Sequence, residues 1–243
     1  MSMRRIVFVA LLVACFGAGA IVQKTKLYPL QPVRAIRNAI VGNPLDRFLA
    51  DTAPKPRNSI FEAFHPHADI VMIGDSITQG AEWKEIFPAS SIANRGIARD
   101  RSDDILRRIP TALKVTPKKA FLMFGINDFA NFQTVDAVFA NYQRVIEQLE
   151  AARVQVYIQS TLECSRATCE QMLDKVRMLN AKLQSYANDK AIPFIDINRG
   201  MTSAEDGLLK QYTPDGVHLS GSGYVEWRKA IEPYIDSQDS QTH

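Results

Sequence analysis

Two stretches of this chain carry residues whose types and spacing could do chemistry. The first is Gly74-Asp75-Ser76. It closes a short apolar run, Ile70 to Ile73, of the kind a buried parallel strand uses. A serine at the C-terminal tip of such a strand has its hydroxyl at the open edge of a sheet, where α/β proteins place their sites. Its N–H lies near a helix N-terminus, where a developing negative charge is favoured. Taken alone, the same residues serve equally as a helix cap. The second stretch is Asp215-Gly216-Val217-His218, with an Asp and a His three residues apart. Singly, Asp215 reads as a turn residue and His218 as a helix-start residue. Of the four His, His243 is terminal, and His65 and His67 precede the first strand.

The elements that must position these residues alternate along the chain. After the Ser76 turn, Glu82 to Phe87 reads as a short helix, and Ser91 to Gly96 as a second strand ending at a glycine. Asp103 to Leu113 is helical, with Pro110 expected to break or kink it. Ala120 to Phe124 is a third strand and runs into Gly125-Ile126-Asn127-Asp128. Val135, Val138, Phe139, Tyr142, Val145, Ile146 and Leu149 form one helical stripe. Val154 to Ile158 is a fourth strand, Met172 to Tyr186 an amphipathic helix, Ile192 to Ile197 a fifth strand and Gly223 to Tyr234 a last helix. Such alternation predicts a mostly parallel sheet covered on both faces. Ser76, Gly96 and Asn127 then each lie just past a strand's C-terminal end, and those ends share one edge. The loop with Asp215 and His218 precedes the last helix.

With 243 residues and 46% hydrophobic content, the chain can bury one sizeable core. A net charge of +3 and no clustering of basic with aromatic residues give no sign of a nucleic-acid partner. Arg4 and Arg5 precede an uncharged segment, Ile6 to Val22. Residues 1–22 therefore read as a signal anchor or signal peptide, and the preferred reading is an anchor that tethers the chain to the inner membrane from the periplasmic side. Cleavage after Ala18-Gly19-Ala20, or lipidation at Cys15, are the alternatives. Residues 23–59 read as a tether, interrupted by Pro29, Pro32, Pro44, Pro54 and Pro56, and residues 60–243 as the folded domain. Outside the leader only Cys164 and Cys169 remain. In an oxidising compartment they pair; the alternative is two free thiols. A zinc site is disfavoured, because no His is near them in sequence and only two thiolates are on offer.

Four blocks, taken together and in order, resemble those of the SGNH, or GDSL-type, serine hydrolases. They are Gly74-Asp75-Ser76-Ile77-Thr78; Asn94-Arg95-Gly96-Ile97 with Asp100 and Asp103; Gly125-Ile126-Asn127-Asp128; and Asp215-Gly216-Val217-His218 with Gly223-Tyr224. The resemblance covers about residues 68 to 235, with Ile77 where the family has Leu. It implies a flavodoxin-like, three-layer α/β/α fold with a five-stranded parallel sheet in the order 2-1-3-4-5. It implies Ser76 as nucleophile, His218 as general base and then acid, and Asp215 as the residue that orients His218. The oxyanion hole it implies is the N–H groups of Ser76 and Gly96 with the side-chain amide of Asn127. No metal or organic cofactor is required. The expected activity is an exported esterase or acyl hydrolase acting on small acyl esters, acetyl foremost, on envelope or extracellular polysaccharide. An O-acyltransferase with the same triad, a lysophospholipase or thioesterase, and a non-catalytic binding module are the other readings.

Overall fold

The computed structural model describes residues 56–235, so the leader and nearly all of the tether lie outside the described residues. The first described element is helix α1 (Pro56–Ala63). Residues 56–59, read from the sequence as tether, are its first turn. Pro56 opens the helix instead of interrupting it, because proline at the first helical position loses only an N–H that has no intrahelical acceptor. Phe61 is buried, and the Arg95 guanidinium stacks on its ring at 4.3 Å.

Strands β1 (Ile70–Gly74), β2 (Ile92–Gly96), β3 (Lys119–Met123), β4 (Gln155–Gln159) and β5 (Phe194–Ile195) form one sheet in the order β2-β1-β3-β4-β5. Every pairing is parallel, as the alternation and the resemblance both predict. Period-two alternation splits the strand residues between two cores. Val71, Ile73, Ala120, Leu122, Val156 and Ile158 face one cluster. Ile70, Met72, Phe121, Met123 and Tyr157 face the other. Helices α4 (Ser102–Leu113) and α6 (Val135–Ala151) cover the first cluster, and α3 (Trp83–Ile86) and α8 (Gly221–Ile235) the second. Helix α7 (Arg166–Lys190) is long enough to contribute to both, through Val176 and Leu179 on one side and Leu173 on the other. The layers are thus helix, sheet, helix.

Three details depart from the sequence reading. Helix α4 runs through Pro110 to Leu113; the missing N–H falls in the last turn, where little helix remains to be disrupted. Strand β5 pairs over two residues only. Pro193 has no N–H to give to a ladder, and the Ile197 N–H is taken by Ser160 Oγ at 3.0 Å, so the chain leaves the sheet. A two-stranded antiparallel hairpin, β6 (Thr202–Ser203) with β7 (Gly207–Leu208), follows unannounced. Among the described residues no helix is long and apolar enough to cross a membrane.

Candidate active site

Strand β1 ends at Gly74, and the next four-residue helix, α2 (Ser76–Gln79), starts at Ser76. Asp75 caps α2: its carboxylate accepts the Ile77 N–H at 3.0 Å, which satisfies one of the orphan donors of the first turn. The cap and the serine are therefore different residues, and the Ser76 hydroxyl is left for other work. Tyr224 of α8 donates its hydroxyl to the Ile77 carbonyl at 2.8 Å. Trp83 and Trp227 meet edge to face at 5.1 Å, a contact worth about 1 kcal/mol beyond its area. Together they fix α8, and the loop leading into it, against the turn that carries Ser76.

That loop brings His218 to the nucleophile. Ser76 Oγ lies 2.9 Å from His218 Nε2, across 142 residues of sequence. His218 Nδ1 lies 2.7 Å from Asp215 Oδ2. Asp215 Oδ1 accepts the N–H groups of Val217 at 2.9 Å and His218 at 2.8 Å. Burial works to raise the Asp215 carboxyl, but the His218 N–H, the His218 ring and the Val217 N–H outweigh it and hold the group at about 2. Asp215 is therefore a carboxylate at neutral pH and can only accept. Nδ1 must carry the proton, which leaves Nε2 as the acceptor for the Ser76 hydroxyl. The pair is not deeply buried: the His218 and Asp215 side chains are 46% and 51% exposed.

The other two expected residues also reach this edge, with different outcomes. Asn127 lies in the first turn of helix α5 (Ile126–Ala130). Its Nδ2 donates to the Asp100 carbonyl at 3.0 Å and approaches Asp75 Oδ2 at 3.4 Å. The amide is thus held beside the residue that precedes Ser76. Gly96, at the end of β2, pairs in register with Gly74. Its N–H already has an acceptor. It is donated to Asn94 Oδ1 at 2.9 Å, while Asn94 Nδ2 donates to the carbonyls of Gln79 and Ala81 at 3.1 Å each. The Gly96 N–H is thus engaged by a nearby side-chain acceptor, and the expected oxyanion role requires that this bond be exchanged. Gly96 also matters for space: a Cβ there would lie 2.2 Å from the Gln79 nitrogen, so only glycine lets β2 lie against α2.

Beneath the edge lies a group of buried charges that sequence reasoning did not assign. Asp100 and Arg108 form a buried ion pair at 2.5 Å, and Arg108 also donates to the Gly74 carbonyl at 3.0 Å. Asp128 accepts the Ser102 N–H and hydroxyl, the latter at 2.6 Å, and burial raises its carboxyl. Asp75 is fully buried. Burial drives its carboxyl up to about 7, against the Ile77 N–H and nearby His218, with Asp100 and Asp128 adding to the rise. Asp100 and Asp103 stood among the quoted motif residues. Nothing in the spacing showed that Asp100 would meet Arg108 across the start of α4. Among the described residues no group of three or more His, Cys, Asp or Glu could hold a metal ion.

Residues 72–225 match the family model of the GDSL-like lipase/acylhydrolases. The chain belongs to this family. Its fold is similar to that of a GDSL-like lipase from Bacteroides thetaiotaomicron, with 27% identity, a TM-score of 0.67 and coverage of 75% of this chain and 96% of that one. Among curated proteins it is 25% identical over 174 residues to an N-acylneuraminate cytidylyltransferase of Streptococcus agalactiae serotype V, covering 71% of this chain. The chain spans 40% of that relative's length. It is also 24% identical over 178 residues to platelet-activating factor acetylhydrolase IB subunit alpha2 of Rattus norvegicus, covering 69% of this chain and 76% of that protein. The Cys164–Cys169 disulfide also falls inside the span matched to the GDSL-like family.

Proposed function

We propose that this protein is an exported serine esterase that removes small acyl groups, acetyl foremost, from hydroxyl groups of an envelope or extracellular polysaccharide. The observation that carries the reading is the continuous hydrogen-bonded chain Ser76 Oγ, His218 Nε2, His218 Nδ1, Asp215 Oδ2. Ser76 attacks the ester carbonyl as His218 Nε2 takes its proton. The imidazolium formed is stabilised by the Asp215 carboxylate and then gives that proton to the leaving alkoxide. Water, deprotonated by His218, attacks the acyl-enzyme and releases the acid and free Ser76. The developing oxyanion is met by the Ser76 N–H, which as the first of a helix has no intrahelical acceptor, and by Asn127 Nδ2 once its long 3.4 Å contact with Asp75 Oδ2 is exchanged for the oxyanion. Asn127 is a neutral donor, so it does not trap the product carboxylate.

The acetyl preference rests on similarity to the acetylhydrolase subunit. Export rests on Arg4 and Arg5 ahead of the uncharged Ile6 to Val22, and on the Cys164–Cys169 disulfide, which persists in oxidising compartments. The test is turnover of nitrophenyl esters from acetyl to octanoyl, with and without oligosaccharide acceptors, beside Ser76→Ala and His218→Ala. Fastest turnover on acetyl, lost in both variants, is expected. Acyl transfer to the sugar in preference to water would make the protein an O-acyltransferase. Wild-type turnover by a folded Ser76→Ala would remove the esterase reading.

A further inference from the structure

The internal geometry of the Asp215–His218 pair is local, since Asp215 Oδ1 takes two N–H groups of its own turn. Its aim at Ser76 is not local. Something outside the turn must hold a half-exposed loop in place to within a fraction of an ångström. At its far end Leu219 is buried. At its near end the holding groups come from the ring closed by Cys164 and Cys169.

Both sulfurs' residues are buried in the second core cluster. The ring is tied to the small hairpin: Leu208 N–H donates to the Cys164 carbonyl at 3.3 Å and Arg166 N–H to the Asp206 carbonyl at 2.7 Å. Within the ring, the Ser165 carbonyl accepts the N–H groups of Thr168 and Cys169. Cys169 itself breaks helical geometry, with φ −141 and ψ 37, so the ring is a separate turn ahead of the rest of α7. The two residues it presents, Ser165 and Thr168, are hydrogen-bonded to each other at 3.0 Å. Both then grip the catalytic loop by its backbone. Ser165 N–H donates to the Gly216 carbonyl at 2.7 Å, and Thr168 Oγ1 donates to the Asp215 carbonyl at 3.2 Å. The fit is close. Gly216 has φ +87, and a Cβ on it would lie 2.1 Å from Thr168 Oγ1 and 2.4 Å from Ser165 Oγ.

We infer that the disulfide ring is a clamp for the acid–base loop, with Thr168 and Ser165 as positioning residues that set the approach of His218 to Ser76. The inference rests on the triad reading above. The clamp touches no reacting atom. It holds the carbonyls of the two peptide links that flank Gly216, and the disulfide keeps Ser165 and Thr168 at the spacing those carbonyls require. Losing the Thr168 hydroxyl removes its hydrogen bond to the Asp215 carbonyl, and with it the Ser165 contact inside the ring; only the first holds the loop, so the expected effect is about 3–10-fold in kcat. KM stays unchanged, because ground-state binding does not use the imidazole.

The experiment compares Thr168→Val, Thr168→Ser and Cys164→Ser/Cys169→Ser in the full chain on nitrophenyl acetate. Circular dichroism and a fluorophosphonate count of folded, reactive sites run alongside. Thr168→Val should lose about 3–10-fold in kcat per reactive site at constant KM, and Thr168→Ser, which keeps the hydroxyl, should recover to within about twofold. The double cysteine variant, or the folded wild type reduced with dithiothreitol, should lose about tenfold or more per site. A wild-type kcat in Thr168→Val, equal losses in Thr168→Val and Thr168→Ser, or a loss explained wholly by fewer folded sites would each overturn the clamp. Ser76→Ala in the same series separates the two readings. If Ser76→Ala is inert while Thr168→Val is unimpaired, only the clamp falls; if Ser76→Ala keeps wild-type turnover, the esterase reading falls with it.

Discussion

Replacing Asp75 with asparagine should change how stability depends on pH, and the size of the change follows from burial. Asp75 is 0% exposed, and its carboxyl is driven up to about 7, chiefly by burial. In the unfolded chain the same group titrates near ~3.9. A carboxyl whose pKa is raised on folding binds more protons in the native than in the unfolded state at intermediate pH. Stability is then greatest below the unfolded pKa and is lost as pH climbs to the folded one. Integrating between pH 5 and pH 8 with these two values gives a loss of about 2–3 kcal/mol from this one group. Asp128, also raised by burial, acts in the same direction. Asp215, held at about 2, contributes stability that disappears only as pH falls below the ordinary carboxyl range, outside this window. Asp75→Asn removes the titrating group while keeping an oxygen to accept the Ile77 N–H, so the helix cap survives. Urea unfolding of the wild type at pH 5 and pH 8 should show the drop, and Asp75→Asn should show a drop smaller by about 2–3 kcal/mol. An identical pH 5 to pH 8 difference in the two proteins would refute the argument, because it would mean Asp75 is ionised throughout.

Asn127→Ala should lower kcat about 10²–10³-fold on nitrophenyl acetate with little change in KM, the usual loss for one oxyanion donor; an unchanged kcat would remove Asn127 from the oxyanion site. Asp215→Ala should cost less than Ser76→Ala or His218→Ala, about 10–10²-fold in kcat, because at 51% exposure the carboxylate acts through solvent-screened charge; a loss as complete as that of Ser76→Ala would show the charge to be far better shielded. Gly96→Ala should lower stability by about 1–3 kcal/mol and turnover with it, since the added Cβ meets the backbone of α2 rather than a movable side chain; chemical denaturation reads the first and ester turnover the second. A C-terminal reporter active only outside the cytoplasm should work when fused to the chain, as the Arg4-Arg5 start predicts; activity of a cytoplasm-only reporter would remove the export reading.

Strand and helix order was legible because the signals were dense. Ile70 to Ile73 and Ala120 to Phe124 are apolar on both faces, as strands covered on both sides must be. The stripe from Val135 to Leu149 is buried at helical spacing. That Ser76 and Asn127 would reach one edge was legible because strand ends share it; that the Asp215–His218 loop would join them was legible only from the four motif blocks taken together. The remainder depended on competition that no pattern records. The N–H of Gly96 could have faced a substrate; an Asn94 side chain two residues away took it. Pro56 read as an interruption, yet the same fixed φ that breaks a helix interior also starts one. Thr168 gave no signal, because its partner is a backbone carbonyl 47 residues away, which carries no side-chain signature at all.

Helix α1 has a practical consequence for where the chain can be cut. β2 is an edge strand, and Arg57 Nε donates to its last carbonyl, that of Gly96, at 2.8 Å. A fragment beginning at residue 60 keeps Phe61 but loses Arg57 and the opening turn, and the four residues left of α1 are too few to hold a helix. The Arg95 guanidinium would lose the ring it stacks on, and the Gly96 carbonyl at the end of edge strand β2 would lose its donor and be open to a strand from a second molecule. Fragments that start before Pro56 should therefore stay monodisperse at concentrations where fragments starting at residue 60 associate edge to edge.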